Sequence, residues 1–199
     1  MKIIWYVIIA LAILLAGCGS NEMTTNENTE TDDYEEQGQQ TDTTNEEESD
    51  LQKNKLMEME IEGTKEEIKV HLHHHDELEF STYVPEDMLV ESDPTSFIAY
   101  TNFADQPNRK ARLFITKQDK QTIMDDLKAE GFTVTELDSN SYDFSEEELQ
   151  VSKDGFTGRF IRFSKNNDSY SIGYYYPSEY ADGFSARAAV IIDEIVWHH

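Results

Sequence analysis

The sequence has one cysteine, few basic residues and no apolar run of membrane-spanning length, and each shortage removes a class of protein. A lone thiol, Cys18, cannot close an intramolecular disulfide, so no disulfide framework holds the chain. Lys and Arg number 16 against 41 Asp and Glu, which leaves a formal net charge of −25. Phosphate affinity rests on clustered cations, so a nucleic-acid partner is not expected. Adhesion to anionic lipid through a basic patch is not expected for the same reason. The chain also lacks a Gly-x-Ser-x-Gly elbow, a His-Glu-x-x-His helix and a glycine-rich phosphate loop. Carboxylate runs such as Asp125-Asp126 and Glu146-Glu147-Glu148 are read as solvated faces of an acidic chain. No enzyme is expected, and no catalytic residue is assigned.

What is present begins with an apolar core. Lys2 supplies a positive end, and Ile3 to Leu15 then run thirteen positions without a charge. A spanning helix needs roughly 20 apolar residues to cross about 30 Å, so this segment reads as a secretory leader instead. It closes with Leu15-Ala16-Gly17-Cys18. That ending resembles the lipobox of bacterial lipoproteins. The resemblance implies removal of residues 1–17, a diacylglyceryl group on the Cys18 sulfur with further acylation such as palmitate, and a tether on the extracytoplasmic face of the cell membrane. Each buried methylene of an acyl chain contributes about 0.8 kcal/mol, so two or three chains hold where one would not.

Residues 18–55 form a different material. Between Asn21 and Asp50 there are twelve carboxylates and no Lys or Arg, with Met23 and Tyr34 as the sizeable apolar groups. Such a segment cannot bury enough apolar area to offset an ordering cost of roughly 1–2 kcal/mol per residue. It is expected to be a disordered acidic spacer, stretched by its own charge.

Residues 56–199 are expected to form one α+β domain. Met57, Met59 and Ile61 alternate, Glu62-Gly63-Thr64 reads as a turn, and Ile68, Val70 and Leu72 alternate again. Further strands are expected over Leu78–Val84, Phe97–Phe103 and Ala111–Thr116, the last two joined by a loop around Gln106-Pro107-Asn108. Lys120–Glu130 reads as a helix, capped by Asp119 and stopped by Gly131. Phe132–Leu137 resumes as a strand, and Phe156–Phe163 and Tyr170–Tyr176 form a hairpin about Asn166-Asn167-Asp168. A closing helix is expected from Ser178 to about Trp197. Phe156 and Phe160 fall on one face of their strand and Ile161 and Phe163 on the other. A largely antiparallel sheet with helices on both faces follows.

The strand entering Val84-Pro85, followed by Met88, resembles the opening of PsbP-like domains. So does a closing helix bearing Phe184, Arg187, Ile191, Ile192 and Ile195 after Tyr174-Tyr175-Tyr176. The likeness covers roughly residues 65–197, with Met88 where the family often has Trp. It implies an α-β-α sandwich without a cofactor, used for docking to larger assemblies.

Two clusters stand out as candidate sites. If Val70 and Leu72 point inward, His71 and His73 lie side by side on the outer strand face, with His75 near the strand end. Paired imidazoles at that spacing bind Zn²⁺, Cu²⁺ or Ni²⁺ weakly; a closed zinc site needs four ligands. Arg159 and Arg162, with Tyr174 and Tyr176 on the partner strand, make an Arg–aromatic mixture of the kind enriched at protein interfaces. The plainer reading of this second group is packing under the closing helix with the guanidiniums paired to carboxylates. The expected protein is a membrane-anchored, non-catalytic docking module with an envelope partner, and the alternative is a metal-binding lipoprotein using the histidines.

Overall fold

The computed structural model describes residues 51–61 and 63–198. Cys18, the leader and the acidic spacer up to Asp50 lie outside the described residues. Residues ahead of the expected boundary at residue 56 already take part in the domain. Leu51 packs against the apolar cluster of the first hairpin, and the Tyr83 hydroxyl donates to the Gln52 carbonyl at 2.8 Å.

Alternating side chains form the hairpin β1 (Asn54–Ile61) and β2 (Thr64–His75), turned at Gly63 with φ +75°. With β3 (Phe80–Pro85) and the short β11 (Val196–Trp197) these strands make an antiparallel sheet of four, in the order β1-β2-β3-β11. The second sheet has seven strands: β4 (Met88–Asp93), β5 (Ser96–Phe103), β6 (Gln106–Thr116), β7 (Thr133–Glu136), β8 (Glu147–Lys153), β9 (Phe156–Lys165) and β10 (Asp168–Pro177). Their order is β4-β5-β6-β10-β9-β8-β7, and all pairings are antiparallel. Two α-helices, α1 (Lys120–Ala129) and α2 (Ala181–Asp193), and a single 3-10 turn over Ser178–Tyr180 complete the described chain.

The α+β class and the antiparallel sheet are as expected, but the expected helix layers are not what forms: strands dominate, one short helix packs on each face of the larger sheet, and a second sheet shares the cover of one face. Eleven strands carry the described residues, and helices of 10 and 13 residues fill what the sheets leave. Two segments without clear alternation, 88–93 and 147–153, are strands, and the closing helix stops at Asp193. Beyond it, Val196 and Trp197 pair with Ser81 and Phe80 as β11. The β5–β6 connection is also tighter than a loop about Pro107. Ala104 and Asp105 take φ +51° and +57°, the double left-handed geometry of a two-residue hairpin turn, and Gln106-Pro107-Asn108 joins the strand.

Strand β9 explains the layering. Phe160 and Ile161 are successive residues, point to opposite faces and are both fully buried. On the Phe160 face, Ile123, Met124 and Leu127 of α1 pack with Phe132, Leu149, Val151 and Tyr175. Asp119 caps that helix by accepting from the Thr122 N–H at 3.0 Å, and Gly131 leaves it at φ +86°. On the Ile161 face, Phe184, Ala188, Ile191 and Ile192 of α2 pack with Leu113, Ile115 and Ile172, joined by Phe80 and Val84 of the smaller sheet. Val190 turns toward Met59, Val70 and Tyr83 of the smaller sheet. Arg187 secures the helix: its Nε donates to the Asp87 carboxylate at 2.9 and 3.0 Å, and its Nη1 to the Gly183 carbonyl at 2.7 Å.

Gly158 sits where two strands meet closely. A Cβ there would lie 2.1 Å from the Tyr174 carbonyl oxygen and 2.6 Å from the Tyr175 Cβ. Backbone cannot yield as a flexible side chain does, so Gly158→Ala should destabilise the domain by about 1–3 kcal/mol. Urea unfolding should show a lower midpoint with an unchanged slope.

Candidate functional site

The histidine run is divided by its strand. Alternation puts His71, His73 and His75 on one face of β2, but their environments differ. His75 is 5 % exposed and stacks on Phe80 at 5.9 Å. Its Nε2 donates to the carbonyls of Asp93 at 2.9 Å and Ser96 at 3.3 Å, while Nδ1 accepts the Leu78 N–H at 3.2 Å. Both nitrogens are already engaged, Nε2 by two backbone carbonyls and Nδ1 by the Leu78 N–H with the Glu77 carboxylate 3.6 Å away, so neither is offered to a metal. His73 is half-buried with its ring edge-on to Phe97 at 6.3 Å, and burial, then the His71 charge, lowers its pKa. His71 is hydrogen-bonded through Nδ1 to Asn54 Oδ1 at 2.6 Å. Among the described residues, no group of three or more His, Cys, Asp or Glu is placed to hold a metal ion.

The opposite strand face carries an arrangement that spacing alone does not reveal. His74 Nε2 lies 2.5 Å from Asp76 Oδ1, His74 Nδ1 lies 2.9 Å from Ser81 Oγ, and Ser81 Oγ lies 3.0 Å from His198 Nε2. The order Asp–His–Ser is that of a hydrolytic relay, but a nucleophile must reach a substrate. Ser81 is 2 % exposed near the start of β3, so the relay serves to tie β2, β3 and the segment after β11 together.

Arg159 and Arg162 do not share a surface. They are three apart on an unbroken strand and so point to opposite faces of the sheet. Arg159 lies in register with Tyr174, and its Nη1 donates to Glu148 Oε2 at 2.6 Å and to the Ser141 hydroxyl. Tyr174 and Tyr176 lie parallel at 6.4 Å, and Tyr176 packs on Phe184 of α2 at 5.0 Å. Burial raises the pKa of both phenols. This is the plainer reading anticipated above, with rings under the closing helix and a guanidinium paired to a carboxylate.

That carboxylate is the residue the sequence misassigned. Glu148 is in β8 rather than on a solvated face, with a side chain fully withdrawn from water. Its Oε1 accepts from the backbone N–H groups of Ser141 and Tyr142, both at 2.8 Å, and from the Ser145 hydroxyl at 2.9 Å. Burial alone would raise its pKa, but these bonds and Arg159 outweigh that and lower it. The carboxylate therefore fixes the loop between β7 and β8, and with it Tyr142 and Phe144.

Phe144 forms one wall of a cleft. It meets Phe163 edge-on at 5.1 Å, Phe163 meets Trp197 at 5.4 Å, and Ile172, Ile192 and Ile195 complete the apolar lining of a space of about 420 Å³. Lys165 and Asp193 add charged groups to the lining. Phe144 is 47 % exposed, and Val196, between two lining residues, is 41 % exposed. The cleft combines residues from four separate stretches of chain, so no local sequence signal announces it.

No family model matches the chain, and no curated protein matches it. A solved protein from Bacteroides thetaiotaomicron is 15 % identical, covering 61 % of this chain and 46 % of its own, with a TM-score of 0.36. The matched region thus spans less than half of that protein, and the likeness carries no argument about fold or function.

Glu148 gives a directional pH prediction. Its folded pKa is depressed, so its contribution is present above the unfolded glutamate value and is lost as pH falls through the lower folded value. Glu148→Gln should unfold more readily than the parent at pH 7, and the gap between their melting temperatures should close in acid. A gap that stayed constant from about pH 7 down to about pH 2 would assign the loss to packing alone.

Proposed function

We propose that this chain is a membrane-anchored lipoprotein of the cell envelope, held on the extracytoplasmic face through lipidated Cys18 and acting as a non-catalytic docking module. Its acidic spacer sets the domain at a distance from the bilayer, and the docking surface is the apolar cleft walled by Phe144 and Trp197. The occupant is an apolar anchor side chain of an envelope protein. One observation carries the reading: a buried carboxylate, Glu148, orders a surface loop that presents Phe144, an exposed aromatic, at the mouth of an apolar cleft. Aromatic anchors seated in preformed pockets dominate protein interfaces, and a space of this size suits such a side chain. The PsbP-like resemblance over residues 65–197 enters the same proposal for its docking role alone, since the α-β-α sandwich it implied is not the fold observed.

The alternative, a transition-metal site, is reduced to His71 and His73 because His75 is spent on backbone. Two imidazoles on one strand bind such ions weakly, so the docking reading is favoured.

The anchor is tested by Cys18→Ser, which should abolish incorporation of labelled palmitate and move the chain out of the membrane fraction. The cleft is tested through Trp197, the tryptophan outside the leader. Binding of the apolar anionic dye anilinonaphthalene sulfonate should quench its emission, and Phe144→Ser should weaken that binding roughly tenfold, the worth of about 1.4 kcal/mol of buried apolar contact. In cells, a photocrosslinker at position 144 should give one discrete product that Ile195→Asp removes while the melting temperature holds. A product indifferent to Ile195→Asp would overturn the cleft as the docking surface.

A further inference from the structure

The charge of the chain conceals a local reversal. Residues 56–199 carry 13 basic and 29 acidic side chains, yet four of the basic ones line a single cleft of about 380 Å³. They are Arg109 and Lys110 near the bulge in β6, Arg112 further along it, and Lys153 at the end of β8. Phe156 and Tyr175 form its aromatic walls.

Two of the cations are already matched by carboxylates of the chain. Arg112 Nη2 donates to Glu130 Oε1 at 2.8 Å, while the Tyr175 hydroxyl donates to Glu130 Oε2 at 2.7 Å. The Arg109 fork closes on the Glu91 carboxylate, and its guanidinium lies 4.9 Å over Tyr100. Lys153 is placed without a carboxylate: its Nζ donates to the Glu130 carbonyl at 3.2 Å and lies over the rings of Phe132 at 3.9 Å and Phe156 at 4.7 Å. Among the described residues Lys110 Nζ has no ion pair. Four positive groups against two carboxylates leave a surplus of two positive charges, centred on two ammonium groups, in a domain that is otherwise strongly negative.

We propose that this cleft binds a phosphate monoester. The surplus matches the charge of roughly −1.5 to −2 that such a group carries at neutral pH, which a single carboxylate does not supply. The guanidinium forks, suited to planar bidentate carboxylates, are occupied by planar carboxylates. What remains are ammonium groups, point charges that take a tetrahedral oxyanion in any orientation. The aromatic faces hold Lys153 in place and limit its loss of side-chain freedom on binding. The surrounding acidic surface repels anions at a distance but is screened beyond about 8 Å at physiological ionic strength, so a ligand within the cleft meets the local sign. This site is separate from the Phe144–Trp197 cleft, and neither proposal rests on the other.

The test is calorimetric titration of the full chain, purified in detergent, with inorganic phosphate, glycerol 3-phosphate, dioctanoyl phosphatidic acid and acetate. Saturable phosphate binding is expected, with acetate inert. Lys110→Gln, at an exposed side chain, should weaken phosphate binding severalfold, and Lys110→Gln with Lys153→Gln should weaken it at least roughly tenfold, as expected when charge-assisted contacts of about 1.4 kcal/mol in total are removed. Lys65→Gln, on the smaller sheet, should change nothing. Tighter binding of phosphatidic acid than of glycerol 3-phosphate would identify a lipid as the source of the phosphate, and equal binding a soluble ester. Equal affinity for acetate and phosphate, absence of saturation, or phosphate binding that survives Lys110→Gln unchanged would overturn the proposal.

Discussion

Two neighbouring side chains on β9 cannot both be kept from water by one layer. Phe160 and Ile161 face opposite ways and both are fully buried, which demands cover on each side of the seven-stranded sheet. Burial of each side chain contributes roughly 1.5–3 kcal/mol, so a bare face would forfeit that many times over along the central strands. The chain meets the demand unequally. The short helix after β6 covers one face, while the other receives α2 together with side chains of a second sheet. The close approach at Gly158 and the clamp of Arg187 on Asp87 follow from how tightly these layers must fit.

Much of this was legible in residue order. The alternation of Met57, Met59, Ile61 and Ile68, Val70, Leu72 predicts the first hairpin, and Asp119 and Gly131 predict the ends of α1. Asn166 and Asn167 predict a tight turn and do adopt left-handed backbone. The strands over 88–93 and 147–153 escaped because their periodicity is broken by polar groups whose partners are distant. Glu148 looks like one acidic residue among three, yet its oxygens answer to Ser141, Tyr142, Ser145 and Arg159. The turn between β5 and β6 was obscured by Pro107, while the left-handed work falls to Ala104 and Asp105, residues with no strong local signature for it.

The sites were less legible than the fold, for a physical reason. Composition reports a sum of charges, whereas a ligand meets the few that converge within a Debye length. A net charge of −25 gives no hint that a bulge in β6 and the end of β8 bring four cations together. The histidines illustrate the converse. Adjacent in sequence, they are separated by the pleat into a buried backbone-binding ring, a half-buried pair and a member of an Asp–His–Ser chain.

Strand β11 ties the beginning of the domain to its end, since the Ser81 hydroxyl meets a ring 117 residues later, at His198. Contacts of such separation form late, because loop closure must precede the contact that rewards it. A polypeptide emerging from its N-terminus would hold the smaller sheet open at the β3 edge until Trp197 is available to pair. The aromatic wall that Trp197 supplies would then be absent from any prematurely shortened product, so the Phe144 cleft would exist only in molecules whose synthesis had run through that residue.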